Sequence, residues 1–335
     1  MMSRVIELKN KPCVIASASA VGKNEGEGPL QDEFDVVFPD DGIKQSSWEN
    51  AESELMFTAV NKCLEKSGLS ERDIGMIFAG DLINQCTSST YAMRGFDTPF
   101  CGLFGACSTM AYSLALAAVM VDGGYADYSL AATSSHFCSA EKQFRYPLEY
   151  GSQRAPASQR TVTGSGAFII GKCKQPDIII PRIQFGIIAD AGVNDTSNMG
   201  AAMAPAAAES IVSFLEKTGT NPTDYDLILT GDLGKVGSEL LKDYLYTRKS
   251  IDISKVHNDC GLMIYDLASQ DVDSGGSGCG CSAVVLASHF LPRLLRGEIK
   301  DMIIVGTGAL MSPSSIQQGL AIPGVAHLIR LCSEV

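Results

Sequence analysis

The residues best suited to chemistry stand together in one short stretch, Phe104-Gly105-Ala106-Cys107-Ser108-Thr109, which opens a long apolar run. A cysteine after a Phe-Gly-Ala turn at a helix start meets the positive end of the helix dipole and a set of backbone N–H groups. Both favour a thiolate, and both can hold an anion. Cys107 is therefore a candidate sulfur nucleophile or the floor of an anion-binding crevice, with Ser108 and Thr109 as further donors. A small buried residue that opens an apolar helix accounts for the same letters equally well.

A nucleophile needs a base or cation beside it and donors for the oxyanion it generates. The chain has four histidines. His289, in VVLASHFLPRLL, and His327, in IPGVAHLIRL, read as packed structural residues. His257, in KVHNDCGLMIYD, belongs to a surface loop or reaches a pocket. His136 follows the apolar strand SLAATSS, whose C-terminal end faces the ligand crevice if the sheet is parallel, so it is a candidate to line the site. Among cations, Lys235 directly follows a Gly-Asp-Leu turn, and Arg145 and Arg160 are weaker candidates. Asp81 and Asp232 close two such turns and read either as caps or as ligand contacts.

Those two turns lead to the elements that must position the site. Glu65–Leu82 and Glu216–Leu233 align without a gap and share eight identities. Ahead of the first copy, Leu55, Ala59, Val60, Cys63 and Leu64 fall at helical spacing, with Gly68 placed to end the helix. Ahead of the second, Ile211, Val212, Phe214 and Leu215 repeat the pattern. MIFAG and LILTG then read as buried strands. Further on, the segment from Cys107 to Thr133 aligns with Cys281 to Thr307, and the larger offset implies an insertion near Lys235 to Asp271. Alternating strands and helices imply parallel strands with crossover helices on their faces. The most uniformly apolar helices, those starting near Cys107 and Cys281, are expected in a central layer.

A net charge of −12 and the lack of any basic run argue against nucleic acid as a partner. An acidic surface is also repelled by anionic lipid, so membrane contact is expected to go through another protein. The start, MMSRVIELKNKP, has no apolar signal core and no span of about 18 apolar residues follows, which leads us to expect a cytosol-like compartment. The 11 cysteines are scattered singly and read mostly as small buried hydrophobes, as at Cys63, Cys173 and Cys332. Cys279-Gly-Cys281 lacks the spacing of a zinc site, and neither a metal nor a cofactor is expected.

The duplicated halves, FGACSTMAYSLALAAVMVDGG, the strand pair in TVTGSGAFIIG and the glycine-rich VGTGALMSP together resemble the thiolase and ketoacyl synthase superfamily. The resemblance implies an α/β duplicated thiolase-like fold, with two mixed sheets and helices in αβαβα layers. Its halves would span residues 1–175 and 176–335. It also implies a homodimer. KPCVIASASAVGKNEGEGPLQDEFD, DSGGSGCGCSAVVLAS and GTGALMSPSSIQQG resemble more closely a stage V sporulation family of endospore formers within that superfamily. That family is associated with dipicolinic acid uptake by the developing spore. This closer resemblance implies dipicolinic acid, alone or as its calcium chelate, as the ligand, and membrane proteins of a sporulation transport complex as partners. It further implies a position at the cytoplasmic face of the forespore inner membrane.

Cys107 occupies the position of the superfamily's acyl-accepting nucleophile, but its helpers are missing. LILTGDLGKVGSEL has no histidine after the second-half strand, and Lys235 stands near that place. Ser277 or a neighbour replaces the asparagine or histidine expected before the second central helix. GTGALMSP lacks the second cysteine of thiolases. The expectation is therefore a binding protein with a vestigial nucleophile. Its ligand contacts would come from Cys107, Ser108, Thr109, His136, Lys235, Asp81, Asp232 and Ser277. An active acyltransferase or ketoacyl synthase using Cys107, and a scaffold with a vestigial pocket, are the alternatives.

Overall fold

The computed structural model describes residues 4–144, 154–173 and 178–333. Five strands of the first half are β1 (Pro12–Val21), β2 (Met76–Gly80), β3 (Phe100–Gly102), β4 (Tyr128–Ser135) and β5 (Gly164–Lys172). The second half repeats them as β6 (Ile178–Gln184), β7 (Leu227–Thr230), β8 (His257–Asp259), β9 (Asp301–Ala309) and β10 (Gly324–Ser333). The first set lies in the order β1-β5-β4-β2-β3 and the second in the matching order β6-β10-β9-β7-β8.

In each half two neighbouring pairs are parallel and two antiparallel, so both sheets are mixed. The parallel pairing expected from strand–helix alternation holds only for β2, β3 and β4 and for β7, β8 and β9. The two half-sheets meet where Cys13 and Val14 of β1 pair antiparallel with Ile179 and Ile178 of β6, so that, in place of the two sheets expected, the strands run on as one continuous mixed sheet.

Three apolar layers follow from the alternation of side chains along the strands. Helix α1 (Trp48–Ser67) packs Leu55, Met56, Ala59 and Val60 against Ile77 and Ala79 of β2 and Leu130 and Ala132 of β4. Phe78 and Ala131, one residue out of step, face the other way. There they meet α3 (Thr109–Asp122), which is numbered to follow α2 (Thr87–Met93). Beyond the second sheet, α4 (Met199–Thr218) covers Ile228, Ile303 and Val305, while Leu229, Met302 and Ile304 point back to the centre. The central layer pairs α3 with α6 (Cys279–Val285), whereas α5 (Gly234–Lys249) packs Leu241 and Leu245 into the outer layer with α4.

Helix ends follow the repeated sequence. Gly68 and Gly219 terminate α1 and α4 in the left-handed region, with φ of 69° and 67°. The insertion shows itself after the repeated turn. In the first half the 7-residue α2 joins β2 to β3, whereas the 16-residue α5 joins β7 to β8.

The glycines of β9 serve a different purpose from the cap glycines. A Cβ at Gly308 would fall against the carbonyl oxygen of Gly105 and 3.0 Å from the amide nitrogen of Ser108, so only glycine lets this strand touch the Cys107 turn. Gly308→Ala is expected to lower stability by about 1–3 kcal/mol through overpacking. Gly219→Ala, with open space around it, should cost about 1–2 kcal/mol from its backbone angle alone. Thermal melts followed with Cys107 reactivity separate the two effects. Only the Gly308 variant should change how Cys107 reacts, and equal reactivity would remove the claim that Gly308 seats that turn.

Candidate functional site

Cys107 is buried, one residue ahead of the Ser108 cap of α3, and the turn before it is tight. Ala106 has φ of 49°, a left-handed value that is strained for a residue with a side chain. The donors expected there are largely engaged by the turn. The Ser108 and Thr109 amides donate to the carbonyls of Gly105 and Ala106, each at 3.1 Å. Their hydroxyls donate to the same two carbonyls at 2.6 Å. Ser108 and Thr109 thus hold the loop in shape and turn their hydroxyls away from the crevice.

The partner of the sulfur is Asp232, from the end of β7. Its Oδ1 accepts from Thr307 Oγ1 at 2.7 Å and its Oδ2 from the Gly278 amide at 2.8 Å, and the Cys107 thiol lies beside it. Burial pushes the Asp232 carboxyl up to about 7, against the pull of those hydrogen bonds. Burial, followed by the Asp232 charge, pushes the Cys107 thiol well above its ordinary value. The helix terminus was expected to favour the thiolate, but desolvation and a neighbouring carboxylate outweigh it, and Cys107 stays neutral.

Asp81, the repeat counterpart of Asp232, has a different task. It accepts from the amides of Ile83 at 2.8 Å and Ser89 at 2.7 Å, and from the Ser89 hydroxyl, so it ties down its own turn and α2. In the second half that duty passes to Asp259. This residue accepts from the Leu233 and Gly234 amides at 2.8 and 3.0 Å and from Thr230 Oγ1 at 2.6 Å. Burial raises its carboxyl to about 6. Asp259 lies in the segment flagged as an insertion, and no local motif singled it out.

Ser277 is buried in a short parallel pairing with Thr161 and supplies backbone to the loop that presents the Gly278 amide to Asp232. His136 is fully buried. Its Nε2 lies 2.8 Å from the Asp41 carbonyl and its Nδ1 accepts from the Cys138 amide at 3.1 Å, so both nitrogens are used and the ring is neutral. Burial also lowers its basicity. Lys235 is exposed, and Arg160 lies with its guanidinium 4.0 Å above the Phe137 ring. Arg145 falls outside the described residues. His257 bonds Thr230 Oγ1 at 3.0 Å, His289 faces Glu33 at 2.8 Å and His327 stacks on Tyr112.

The crevice at Cys107 is narrow, about 50 Å³. Leu82, Phe104, Phe144, Met199 and Met311 form most of its wall, and the amides of Asn84 and Gln143 stand at its edge. Its described lining contains no cation. Among the described residues no group of three His, Cys, Asp or Glu is arranged to hold a metal ion, and no helix is long and apolar enough to cross a membrane.

The sequence profile of stage V sporulation protein AD matches residues 2–332. Stage V sporulation protein AD of Bacillus subtilis (strain 168) is 46% identical over 314 residues, covering 94% of this chain and 92% of that protein. Among solved structures, 3-oxoacyl-[acyl-carrier-protein] synthase III from Aquifex aeolicus VF5 is similar with a TM-score of 0.58 and 13% identity, covering 96% of this chain and 99% of that one. A tetronic acid condensing enzyme, AbyA1, is similar with a TM-score of 0.61 and 16% identity, covering 96% and 99%. At that identity the likeness is one of fold.

Two outcomes are expected from the buried charges. Asp232→Asn removes the carboxylate beside the sulfur, so alkylation of Cys107 by iodoacetamide at mildly alkaline pH should rise about tenfold or more, because each pK unit is tenfold in thiolate. Peptide mass spectrometry reads this directly, and an unchanged rate would show that Asp232 does not hold the thiol neutral. Stability should also fall as pH rises. Glu25 and Asp232 have folded values raised to about 7, so above the unfolded carboxylate range the native state keeps protons that the unfolded state has lost. The buried histidines His136, His257 and His327, lowered from 6.5, act in the opposite sense only below that value. Melting temperature should therefore drop between pH 6.5 and about 8 and level off above. A melting temperature that rises across this window would refute the assignment.

Proposed function

The chain belongs to the stage V sporulation protein AD family, and we propose that it serves sporulation by binding dipicolinic acid at Cys107 without turning it over. The observation that carries the reading is the buried Cys107 thiol, kept neutral by desolvation and by the neighbouring Asp232 carboxyl where a condensing enzyme needs a thiolate. Catalysis by acyl transfer requires the sulfur to take charge, and Asp232 opposes that charge. A neutral thiol at the floor of an apolar slot is suited to contact a planar ring.

The lining favours one form of the ligand. Free dipicolinate carries two negative charges, and a crevice whose described lining holds no cation, with Asp232 behind Cys107, opposes it. The one-to-one calcium chelate has no net charge, and its metal meets the ligand's own carboxylates and water rather than a dedicated protein loop. The pocket is read less by charge than by ring burial and by the Asn84 and Gln143 amides. The crevice is smaller than the roughly 300–1,000 Å³ of common ligand sites. Met199 and Met311, whose unbranched side chains re-pack easily, are the walls that give way. Docking to membrane proteins of the transport complex and a homodimer belong to the same proposal.

A second reading, acyl transfer, rests on Asp232 as a base poised near neutrality beside the thiol. Incubation with acyl-CoA followed by mass spectrometry of the Cys107 peptide decides it, and a stable acyl adduct lost in Cys107→Ala would promote this reading. For the first, calorimetry with equimolar calcium and dipicolinate should give binding between about micromolar and millimolar. Dipicolinate with a chelator present should bind about tenfold more weakly or worse. Cys107→Trp should abolish binding, whereas Cys107→Ala should weaken it only modestly. Undiminished binding by Cys107→Trp would place the ligand elsewhere.

A further inference from the structure

Cys173 was expected to be a small buried hydrophobe, but the fold brings it to Cys13. Their Cα atoms are 5.4 Å apart, within the range that a disulfide spans, and the structure joins them across 160 residues of sequence. Cys13 is fully buried at the start of β1, opposite Gly171 of β5 and Ile179 of β6. It therefore sits at the point where the two sheets meet. Cys173 follows the last residue of β5 and is only partly buried. Both sulfurs lie near the Lys11 carbonyl, at 3.6 and 3.3 Å.

Cys173 also lines a surface groove of about 400 Å³ together with Lys9, Asn10, Lys11, Lys172 and Ile179. Three lysines around one groove form a local positive field on a chain of net charge −12. Such a field lowers a thiol pKa and draws in anions. Lys172 is paired with Asp127, but both side chains are solvent-exposed, so that pair screens the groove only weakly.

We propose that Cys13 and Cys173 form a reversible disulfide, made through this groove by an anionic low-molecular-weight disulfide, that fastens the junction of the two sheets. The partly exposed Cys173 loses its proton to solvent and attacks one sulfur of the small disulfide. That S–S bond breaks and one small thiolate leaves. The Cys13 thiolate then attacks the Cys173 sulfur of the mixed disulfide and expels the second small thiolate. Two electrons pass from the protein to the small disulfide, and the two protons released by the cysteines are taken up by the departing thiolates. Reduction by a small thiol runs the same steps backwards. The partly exposed sulfur is what makes the bond reversible, since an accessible disulfide exchanges readily.

Oxidised glutathione serves as the anionic probe and cystamine as the cationic one, each added to the reduced full-length chain. Peptide mapping should show the Cys13 and Cys173 peptides linked, with the loss of two hydrogens. Cys13→Ser should instead accumulate glutathione on Cys173, because the resolving thiol is gone. Cys173→Ser, at the more tolerant position, should leave Cys13 unmodified. Lys9→Glu combined with Lys172→Glu should slow oxidation by glutathione disulfide about threefold to tenfold and leave cystamine unaffected or faster. Melting of the parent should be lower when reduced than when oxidised, with no such difference in Cys173→Ser. The proposal is overturned if no linked peptide forms and Cys13→Ser carries no adduct, or if parent and Cys173→Ser respond equally to reductant.

Discussion

The buried Asp232 carboxylate is the constraint on which the centre of the molecule depends. A charge or acid group taken out of water must be fully hydrogen-bonded or it unfolds its surroundings. Asp232 meets that demand with Thr307 of β9 and the amide of Gly278 ahead of α6, and it sets the thiol of Cys107 ahead of α3 beside them. Gln159 adds to the arrangement by donating to the Asp232 carbonyl at 2.7 Å and to the Gly276 carbonyl at 2.8 Å. Four segments, distant in sequence and drawn from both halves, are thereby fixed at one place.

The duplication shows how such a residue becomes available. In the first half Asp81 is consumed by its own turn, holding Ile83 and Ser89. In the second half the longer connection brings in Asp259, which takes over the equivalent backbone donors at Leu233 and Gly234. Asp232 is then free to turn inward. The same Gly-Asp-Leu letters thus perform a structural task in one copy and a site-forming task in the other. The difference lies in a residue 27 positions further along, beyond the reach of the repeat itself.

Much of the fold was legible because it is written in local periodicity. The helical spacing ahead of Glu65 and Glu216, the glycines that end α1 and α4 and the apolar strands all depend on neighbours within a turn or two. The mixed pairing of β1, β5, β6 and β10 came from the family resemblance and not from periodicity, since strand direction depends on long connections. The site was legible only in part. Cys107 and Asp232 were marked, but their mutual contact spans the two halves. His136 looked available from its place at a strand end, yet its ring is held by the carbonyl of Asp41, 95 residues away. Lys235 follows Asp232 in sequence, but the turn of α5 carries its side chain to the surface. Direction of a side chain, unlike its presence, is set by tertiary contacts.

These placements bear on what a condensing-enzyme fold can do once its helpers change. A nucleophilic cysteine needs surroundings that stabilise negative charge as it forms. Here, among the described residues, the interior holds several buried acids. Burial raises Glu52 of α1, which accepts from Ser134 and Ser139, and it raises Asp81, Asp232 and Asp259 as well. In such a field burial penalises every negative charge, so the thiol keeps its proton and the carboxyls lose theirs less readily than in water. The helix terminus behind Cys107 still supplies a favourable dipole, but its first donors are spent on the Gly105 and Ala106 carbonyls. A pocket built this way discriminates by shape and by neutrality. Under the proposed function, it would take a flat molecule whose charges are already compensated and withhold the thiolate that turnover requires.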